Sequence, residues 1–308
     1  MATLPQPLCG IVPPMPTPLM DRDTLDLPGL ERLVEHLLAG GVRGVFVLGT
    51  TGEGPSLSYR LRAELVDRVC RQVAGRVPVL VGVTDTSAAE SLRLAGQAAD
   101  AGASAVVLAP PYYFPISQPE LLGYLRRVVP AMPLPVFLYN IPSHTKTAFG
   151  LAAVGRALAI DNCVGMKDSS GDMLYFHQLH RLRQRRPGWT LLIGPEELLA
   201  EAVLLGGDGG VCGGANLCPQ LYVALCDAAA RRDVDRAAEL HQRVLEIGRS
   251  IYTVGRHPSA VIQGIKAALA CLGLCNDYLV EPLRRLGPAE RETIRRHVEC
   301  LGIGQPRS

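Results

Sequence analysis

Residues 162–172 read NCVGMKDSSGD: an apolar run, Val164 to Met166, ends on a lysine, and an acid, two serines, a glycine and a second acid follow at once. The same form, a short apolar run turning polar at its C-terminal end, recurs along the chain. GVFVLGT (44–50), VPVLVGV (77–83), SAVVLAP (104–110), LPVFLYN (134–140), CVGMKDS (163–169), WTLLIG (189–194) and GGVCGG (209–214) are seven such runs. An earlier one, GIVPPMPTPL (10–19), is broken by prolines that leave only its start fit for a central strand. The seven begin roughly 20 to 33 residues apart, the length of one strand–helix unit. Runs that are apolar throughout, rather than alternating, imply a parallel sheet covered on both faces.

Helical patterns fill the intervals. Asp26 can cap a helix with Pro28 in its first turn, and Leu30, Leu33, Val34, Leu37 and Leu38 then form one stripe. Ser87 with Glu90, and Ser117 with Glu120, have capping-box spacing. Eight strands alternating with helices, uninterrupted by a linker, predict an α/β fold, a closed (β/α)8 TIM barrel spanning residues 1–230. Residues 231–308 read as a C-terminal helical extension of three helices packed on the barrel, with Leu240, Val244, Ile247, Ile262, Ile265, Leu269, Leu272 and Ile294 as apolar positions.

The totals narrow the class. The chain has 308 residues, and 48% hydrophobic content supplies ample core material. A formal net charge of +2 gives no electrostatic footprint for nucleic acid, and RLRQRR (181–186) reads as the solvated end of a helix. Nine cysteines without a C-x-x-C spacing suggest free thiols in a reducing compartment, with Cys271 and Cys275 as helix neighbours. MATLPQPLCG lacks the pattern of a secretion signal, and no apolar segment is long enough to span a bilayer. The expectation is a cytoplasmic protein with no nucleic-acid or membrane partner.

In this fold active sites sit at the C-terminal ends of the strands. There the sequence places Thr50, Thr51 and Glu53, then Tyr112 and Tyr113, then Tyr139 and Asn140, then Lys167 and Asp168. Lysine is scarce: of 31 Lys plus Arg only Lys146, Lys167 and Lys266 are lysines. Arginine serves wherever a positive charge is merely needed, but a guanidinium cannot act as an amine nucleophile. Lys167 reads either as a leftover surface charge or as that nucleophile. Tyr139 lies 28 residues before it, so the two belong on adjacent strands about 4.8 Å apart. In a barrel mouth lined by Tyr, Thr and apolar residues an amine is desolvated, which favours its free form, and a neighbouring phenol can move the protons of an imine. Lysine, tyrosine and paired threonines together favour Schiff-base carbonyl chemistry.

Other motifs read as structure. GTTGEG (49–54) lacks the Lys-Ser/Thr of a Walker loop; it is either a tight turn ahead of a Ser58 cap or a seat for a small carboxylate. His177 and His180 have no companions completing a metal site. Asp168 and Asp172 read as caps at a helix start. GDGGVCGGAN (207–216) reads as close packing rather than a phosphate site, a reading that would also make the chain a flavin or sugar-phosphate barrel.

GTTGEGPSLS, PPYY, YNIPSHT and GMKDSSGD, in this order and spacing, resemble the dihydrodipicolinate synthase / N-acetylneuraminate lyase family of class I pyruvate aldolases, over almost the whole chain. The resemblance implies a barrel with a helical extension, assembled as a homotetramer from two dimers. It implies that Lys167 forms a Schiff base with pyruvate, with no metal and no organic cofactor. Tyr139 would be the proton shuttle, linked through Thr51 to Tyr113, which reaches the site of a neighbouring subunit. Thr50 and Thr51 would hold the pyruvate carboxylate, and Gly194 and Val211 would line the pocket. Where lysine-pathway synthases carry an arginine for the second substrate's carboxylate, this chain has His144, and Gly54, Pro55, Tyr59 and Arg62 match the feedback-lysine site poorly. KDSSGD also differs from sialic acid lyases. The expected partner of pyruvate is therefore an aldehyde released from a 2-keto-3-deoxy sugar acid or 4-hydroxy-2-oxoglutarate type substrate. The alternatives are 4-hydroxy-tetrahydrodipicolinate synthase, using aspartate semialdehyde, and a non-catalytic pyruvate-binding regulatory barrel.

Overall fold

The structure, a computed structural model, describes residues 4–255 and 257–304, so the first three residues of the stretch read for a leader lie outside it. Each apolar run becomes a strand. After β1 (Gly10–Ile11) comes a short antiparallel hairpin, β2 (Leu19–Asp21) and β3 (Thr24–Leu25), separate from the main sheet; its two- and three-residue strands were too short to leave a sequence pattern. Then follow α1 (Leu27–Ala39), β4 (Val45–Val47), α2 (Tyr59–Val73), β5 (Val79–Gly82), α3 (Ala88–Asp100), β6 (Ala105–Leu108) and α4 (Gln118–Val128). The second half runs β7 (Val136–Asn140), the short α5 (Pro142–Thr145), α6 (Leu151–Ala157), β8 (Cys163–Asp168), α7 (Met173–Arg183), β9 (Thr190–Ile193), α8 (Leu199–Leu204), β10 (Gly209–Gly210) and α9 (Pro219–Ala230).

Eight strands form one parallel sheet in the order β1-β10-β9-β8-β7-β6-β5-β4. The ring closes between its two ends: Arg43 N donates to Ile11 O (2.8 Å), Phe46 N to Pro13 O (2.9 Å) and Met15 N to Phe46 O (2.8 Å). The fold is therefore the (β/α)8 barrel expected. Two apolar clusters divide the strand faces, as the period of two requires. Phe46, Leu80, Val107, Phe137, Tyr139, Leu192 and Val211 fill the barrel interior. Val45, Val47, Val81, Val106, Leu138, Met166 and Leu191 face the helices.

The helix starts follow their caps. Asp26 accepts from Gly29 N, and α1 buries Leu30, Leu33, Val34 and Leu37, each worth about 1.5–3 kcal/mol when fully withdrawn from water. Ser117 and Glu120 form the complete capping box; at α3 only Ser87 takes part, because Glu90 pairs with Arg93 instead. Three helices follow the barrel: α10 (Val234–Ile251), capped by Asp233, α11 (Ala260–Cys271) and α12 (Pro288–Cys300). Leu240, Val244, Ile247, Ile265 and Ile294 join the same apolar cluster as the barrel's outer layer. Cys271 ends α11, since Gly273 at φ +70° breaks it, and Cys275 lies beyond rather than on the helix. Among the described residues no helix is long and apolar enough to cross a membrane.

Candidate active site

Lys167 and Tyr139 meet because of one irregularity in the β7–β8 ladder. Val136 pairs with Cys163, but Phe137 pairs with Gly165, so Val164 is an extra residue. The shift sets Tyr139 opposite Lys167 and Asn140 opposite Asp168. Paired residues of a parallel sheet share a face, so without the extra residue Lys167 would sit opposite Asn140 and point toward the helices. Gly165 allows this register: a Cβ there would fall 2.7 Å from the Phe137 ring and 2.7 Å from Thr190 O.

The lysine is enclosed, 6% exposed, with its Nζ 4.1 Å from the Tyr139 ring centroid and 5.4 Å from that of Phe46. These two rings meet edge to face at 6.4 Å. Thr50 Oγ1 stands 3.4 Å from the Tyr139 hydroxyl, a long contact that makes Thr50, rather than Thr51, the threonine facing the phenol. Burial pushes the Tyr139 phenol up, but the Lys167 charge, with hydrogen bonds to Thr50, Lys167 and Ser169, brings it below its ordinary value. A phenol so placed gives up its proton more readily than a free tyrosine.

Behind the pair, Asn140 and Asp168 clamp the two strand ends. Asn140 Nδ2 donates to Asp168 Oδ1 (2.8 Å), and Ser170 donates to Asp168 through its N (3.2 Å) and Oγ (2.9 Å). Asn140 Oδ1 accepts from Phe149 N (3.0 Å). Burial raises the Asp168 carboxyl above its ordinary value, against these hydrogen bonds. Asp168 is thus the last residue of β8 and no helix cap, contrary to the sequence expectation; a buried carboxylate needs these donors, and the helix end is out of its reach. Asp172 alone caps α7, accepting from Tyr175 N (3.0 Å).

A cavity of about 600 Å³ opens above the rings, with Thr50, Thr51, Tyr139 and His144 among its walls. His144, on α5, contacts Ser143 Oγ through Nδ1 (3.0 Å), and partial desolvation, then the Lys167 charge, lower its imidazole below the ordinary value. Tyr112 lines the same cavity, whereas Tyr113 is 69% exposed with its ring against Phe114 (4.8 Å, 90°) and off the wall. Gly194 and Val211 are not on the wall either. Gly194 makes room for Ser169, whose Oγ a Cβ would meet at 1.9 Å, and Val211 packs inside the barrel with Tyr139. Ser169, Asn140 and Glu53 are site neighbours whose parts the sequence did not disclose. KDSSGD and YNIP held the first two in plain view, but which hydroxyl or amide turns inward depends on the register.

The glycines of 207–216 serve close packing: a Cβ on Gly209 would meet Gly10 O at 1.9 Å, and one on Gly214 the Tyr222 hydroxyl at 1.9 Å. Among the described residues no group of three His, Cys, Asp or Glu side chains is placed to hold a metal ion.

Residues 7–301 match the sequence profile of the dihydrodipicolinate synthetase family. The chain is 33% identical to a 4-hydroxy-tetrahydrodipicolinate synthase of Methanopyrus kandleri, over 96% of both chains. It superposes with a TM-score of 0.93 on the dihydrodipicolinate synthase structure from Bacteroides thetaiotaomicron, at 49% identity, covering 96% of this chain and 99% of that one. It is also similar to the pyruvate complex of YagE from Escherichia coli, a putative 2-dehydro-3-deoxy-D-gluconate aldolase (TM-score 0.90, 31% identity, 96% and 99% covered).

Proposed function

The chain belongs to the dihydrodipicolinate synthetase family, and from that premise we propose that it is a class I pyruvate aldolase, a Schiff-base lyase that makes or breaks a carbon–carbon bond to an aldehyde. One observation carries the reading: Lys167 and Tyr139 are register partners at buried strand ends, amine against phenol face at 4.1 Å.

The Lys167 amine adds to the keto carbon of pyruvate, and loss of water leaves an imine. The imine is a better electron sink than the ketone, so a methyl proton departs and an enamine forms. The enamine carbon attacks the aldehyde, whose oxygen takes a proton; cleavage is the reverse. Tyr139 is the group assigned to these protons, and its lowered phenol value suits the task. Thr50 and Thr51 are assigned to the pyruvate carboxylate through hydroxyl and backbone N–H. In this reading Gly194 and Val211 act at one remove from the pocket, Gly194 by making room for Ser169 and Val211 by packing in the barrel interior with Tyr139.

The aldehyde is assigned to the 2-keto-3-deoxy sugar acid or 4-hydroxy-2-oxoglutarate class. His144 supports this, because an imidazole lacks the bidentate fork with which arginine grips a second carboxylate. The alternative, condensation with aspartate semialdehyde, is favoured by the likeness to the Bacteroides synthase. The reading further takes residues 1–230 as the catalytic barrel, 231–308 as its extension, and the working form as a cytoplasmic homotetramer in which the exposed Tyr113 enters a neighbour's site.

The test is borohydride reduction in the presence of pyruvate followed by peptide mass spectrometry. An adduct on Lys167 is expected; an adduct only on Lys266, or none, overturns the reading. Turnover with each aldehyde, before and after His144→Arg, separates the two substrate assignments.

A further inference from the structure

A second lysine is buried near the cavity, and the chemistry above does not use it. Lys266 on α11 is 0% exposed, with Nζ 2.5 Å from Glu53 Oε1 and 2.5 Å from Tyr278 O. The other carboxylate oxygen, Glu53 Oε2, accepts from Val280 N (2.8 Å). Both of the glutamate's oxygens are therefore tied to the C-terminal part of the chain, 213 and 227 residues away in sequence.

Glu53 is the pivot of the turn that presents Thr50 and Thr51. Its N donates to Thr50 O (3.0 Å), Gly54 N donates to Gly49 O (3.2 Å), and Thr17 Oγ1 donates to Gly52 O (2.6 Å). Glu53 itself holds φ +57°, a left-handed conformation uncommon for a residue with a side chain. On the other side of the ion pair, Ser259 and Ile262 by α11, and Pro282 and Leu283 just past Val280, are walls of the same cavity. The pair joins the two halves of the cavity: the threonine turn of the barrel and the wall supplied by the C-terminal helices.

Apolar side chains of similar volume would hold those helices in place at least as well, because a buried ion pair pays desolvation on both partners. What they would lack is direction. The two polar contacts of Glu53, to Lys266 Nζ and to Val280 N, are fixed in angle and set the turn's position against the C-terminal part; an apolar contact leaves it free to slide.

We propose that Glu53 and Lys266 form a positioning pair for pyruvate, with Lys266 acting through Glu53 to hold the Thr50–Thr51 seat at the height of Lys167. The proposal rests on the assignment of Lys167 and of that seat given above. It explains why a chain that uses arginine almost everywhere keeps a lysine here. The longer, planar guanidinium does not fit between one carboxylate oxygen and a carbonyl at 2.5 Å in a site closed to water.

The experiment compares the full-length wild type with Lys266→Met, Glu53→Gln and the double variant Glu53→Gln/Lys266→Met. Pyruvate is titrated under borohydride, the Lys167 adduct is counted by mass spectrometry, and the melting temperature is recorded alongside. Each single variant is expected to be destabilised, since each leaves the other partner's charge buried alone. The double variant buries no lone charge and is expected to recover stability. It is nevertheless expected to need roughly ten- to hundredfold more pyruvate for half-maximal trapping, the scale on which small misplacements are felt. The adduct should still form on Lys167 at saturation. A folded double variant that traps at the wild-type pyruvate concentration overturns the proposal and reduces the pair to a structural tie. If Lys266→Met does not fold, the double variant alone decides. A wild type that traps nothing on Lys167 is a different failure, of the functional reading itself.

Discussion

Lys167 and Lys266 are both buried, 6% and 0% exposed, yet their surroundings are opposite. Lys266 has a carboxylate and a carbonyl at 2.5 Å, which take two of its three N–H donors. Lys167 has aromatic faces and hydroxyls, and no ion-pair partner within 4.0 Å among the described residues. The acid that follows it in sequence, Asp168, turns away to Asn140 and Ser170. The difference teaches how one side chain serves two ends. An ammonium locked to a carboxylate is a structural cation, because losing its proton would strand the partner's charge. Lys167, with no carboxylate holding its Nζ in place, is free to approach a carbonyl carbon.

Substitution of each lysine by methionine is the sharpest way to break that comparison. Lys167→Met should abolish turnover, a loss of about four orders of magnitude or more, as for other covalent nucleophiles. It should leave stability within about 1 kcal/mol of the wild type, since no buried partner loses its mate. Lys266→Met should do the reverse to stability, lowering it by about 3–5 kcal/mol through the unpaired Glu53. Denaturant unfolding and a coupled pyruvate assay read both. A severe loss of stability on removing Lys167 would show that the contrast is misjudged.

Tyr139→Phe comes next. It keeps the ring that faces Lys167 and removes only the hydroxyl, so borohydride should still trap pyruvate while kcat falls by about 10²–10⁴-fold. Equal loss of trapping and turnover would mean that the phenol serves the amine's placement and not proton transfer. Asp168→Ala tests the clamp behind the pair. It leaves Asn140 Nδ2 and Ser170 N without their acceptor at a site 0% exposed, at a cost of about 1–3 kcal/mol for each stranded donor. Asp168→Asn, which keeps an acceptor oxygen of the same reach, should lose much less.

The same contrast explains what could be read from the chain. Barrel strands are legible because a parallel sheet covered on both faces demands unbroken apolar runs, and helices because Asp26, Ser87 and Ser117 announce their starts. Lys167 was legible because it is a lysine in an arginine-rich chain at the end of such a run. Its inward direction was not: the spacing of 28 residues sets adjacent strands, but the extra residue at Val164 decides the face, and a bulge leaves no mark on composition. Asp168 was misread as a cap because an acid before Ser-Ser-Gly fits both a cap and a strand end. Glu53 and Lys266 were unreadable as a pair for a simpler reason. A contact spanning 213 residues has no local period, so a glutamate at a strand end and a scarce lysine far along the chain give no sign that they meet.

The smallest expected effect reads the uncompensated charge directly. His144 lies on the cavity wall, and its imidazole is held below the ordinary value first by partial desolvation and then by Lys167. Removing that charge in Lys167→Met should move the His144 titration upward, while Glu53→Gln/Lys266→Met, which removes two charges that cancel, should leave it in place; histidine NMR titration distinguishes the two. The sign for stability follows. With its folded value below the unfolded value of about 6.5, His144 binds fewer protons folded than unfolded within that window. Its contribution is therefore complete above the unfolded value and declines as pH falls through the window toward the folded one. Lys167→Met narrows the window, so the variant should lose less stability than the wild type on acidification there. An unchanged His144 titration in that variant would mean that Lys167 exerts no net charge on the cavity, and that the two lysines differ less than their neighbours imply.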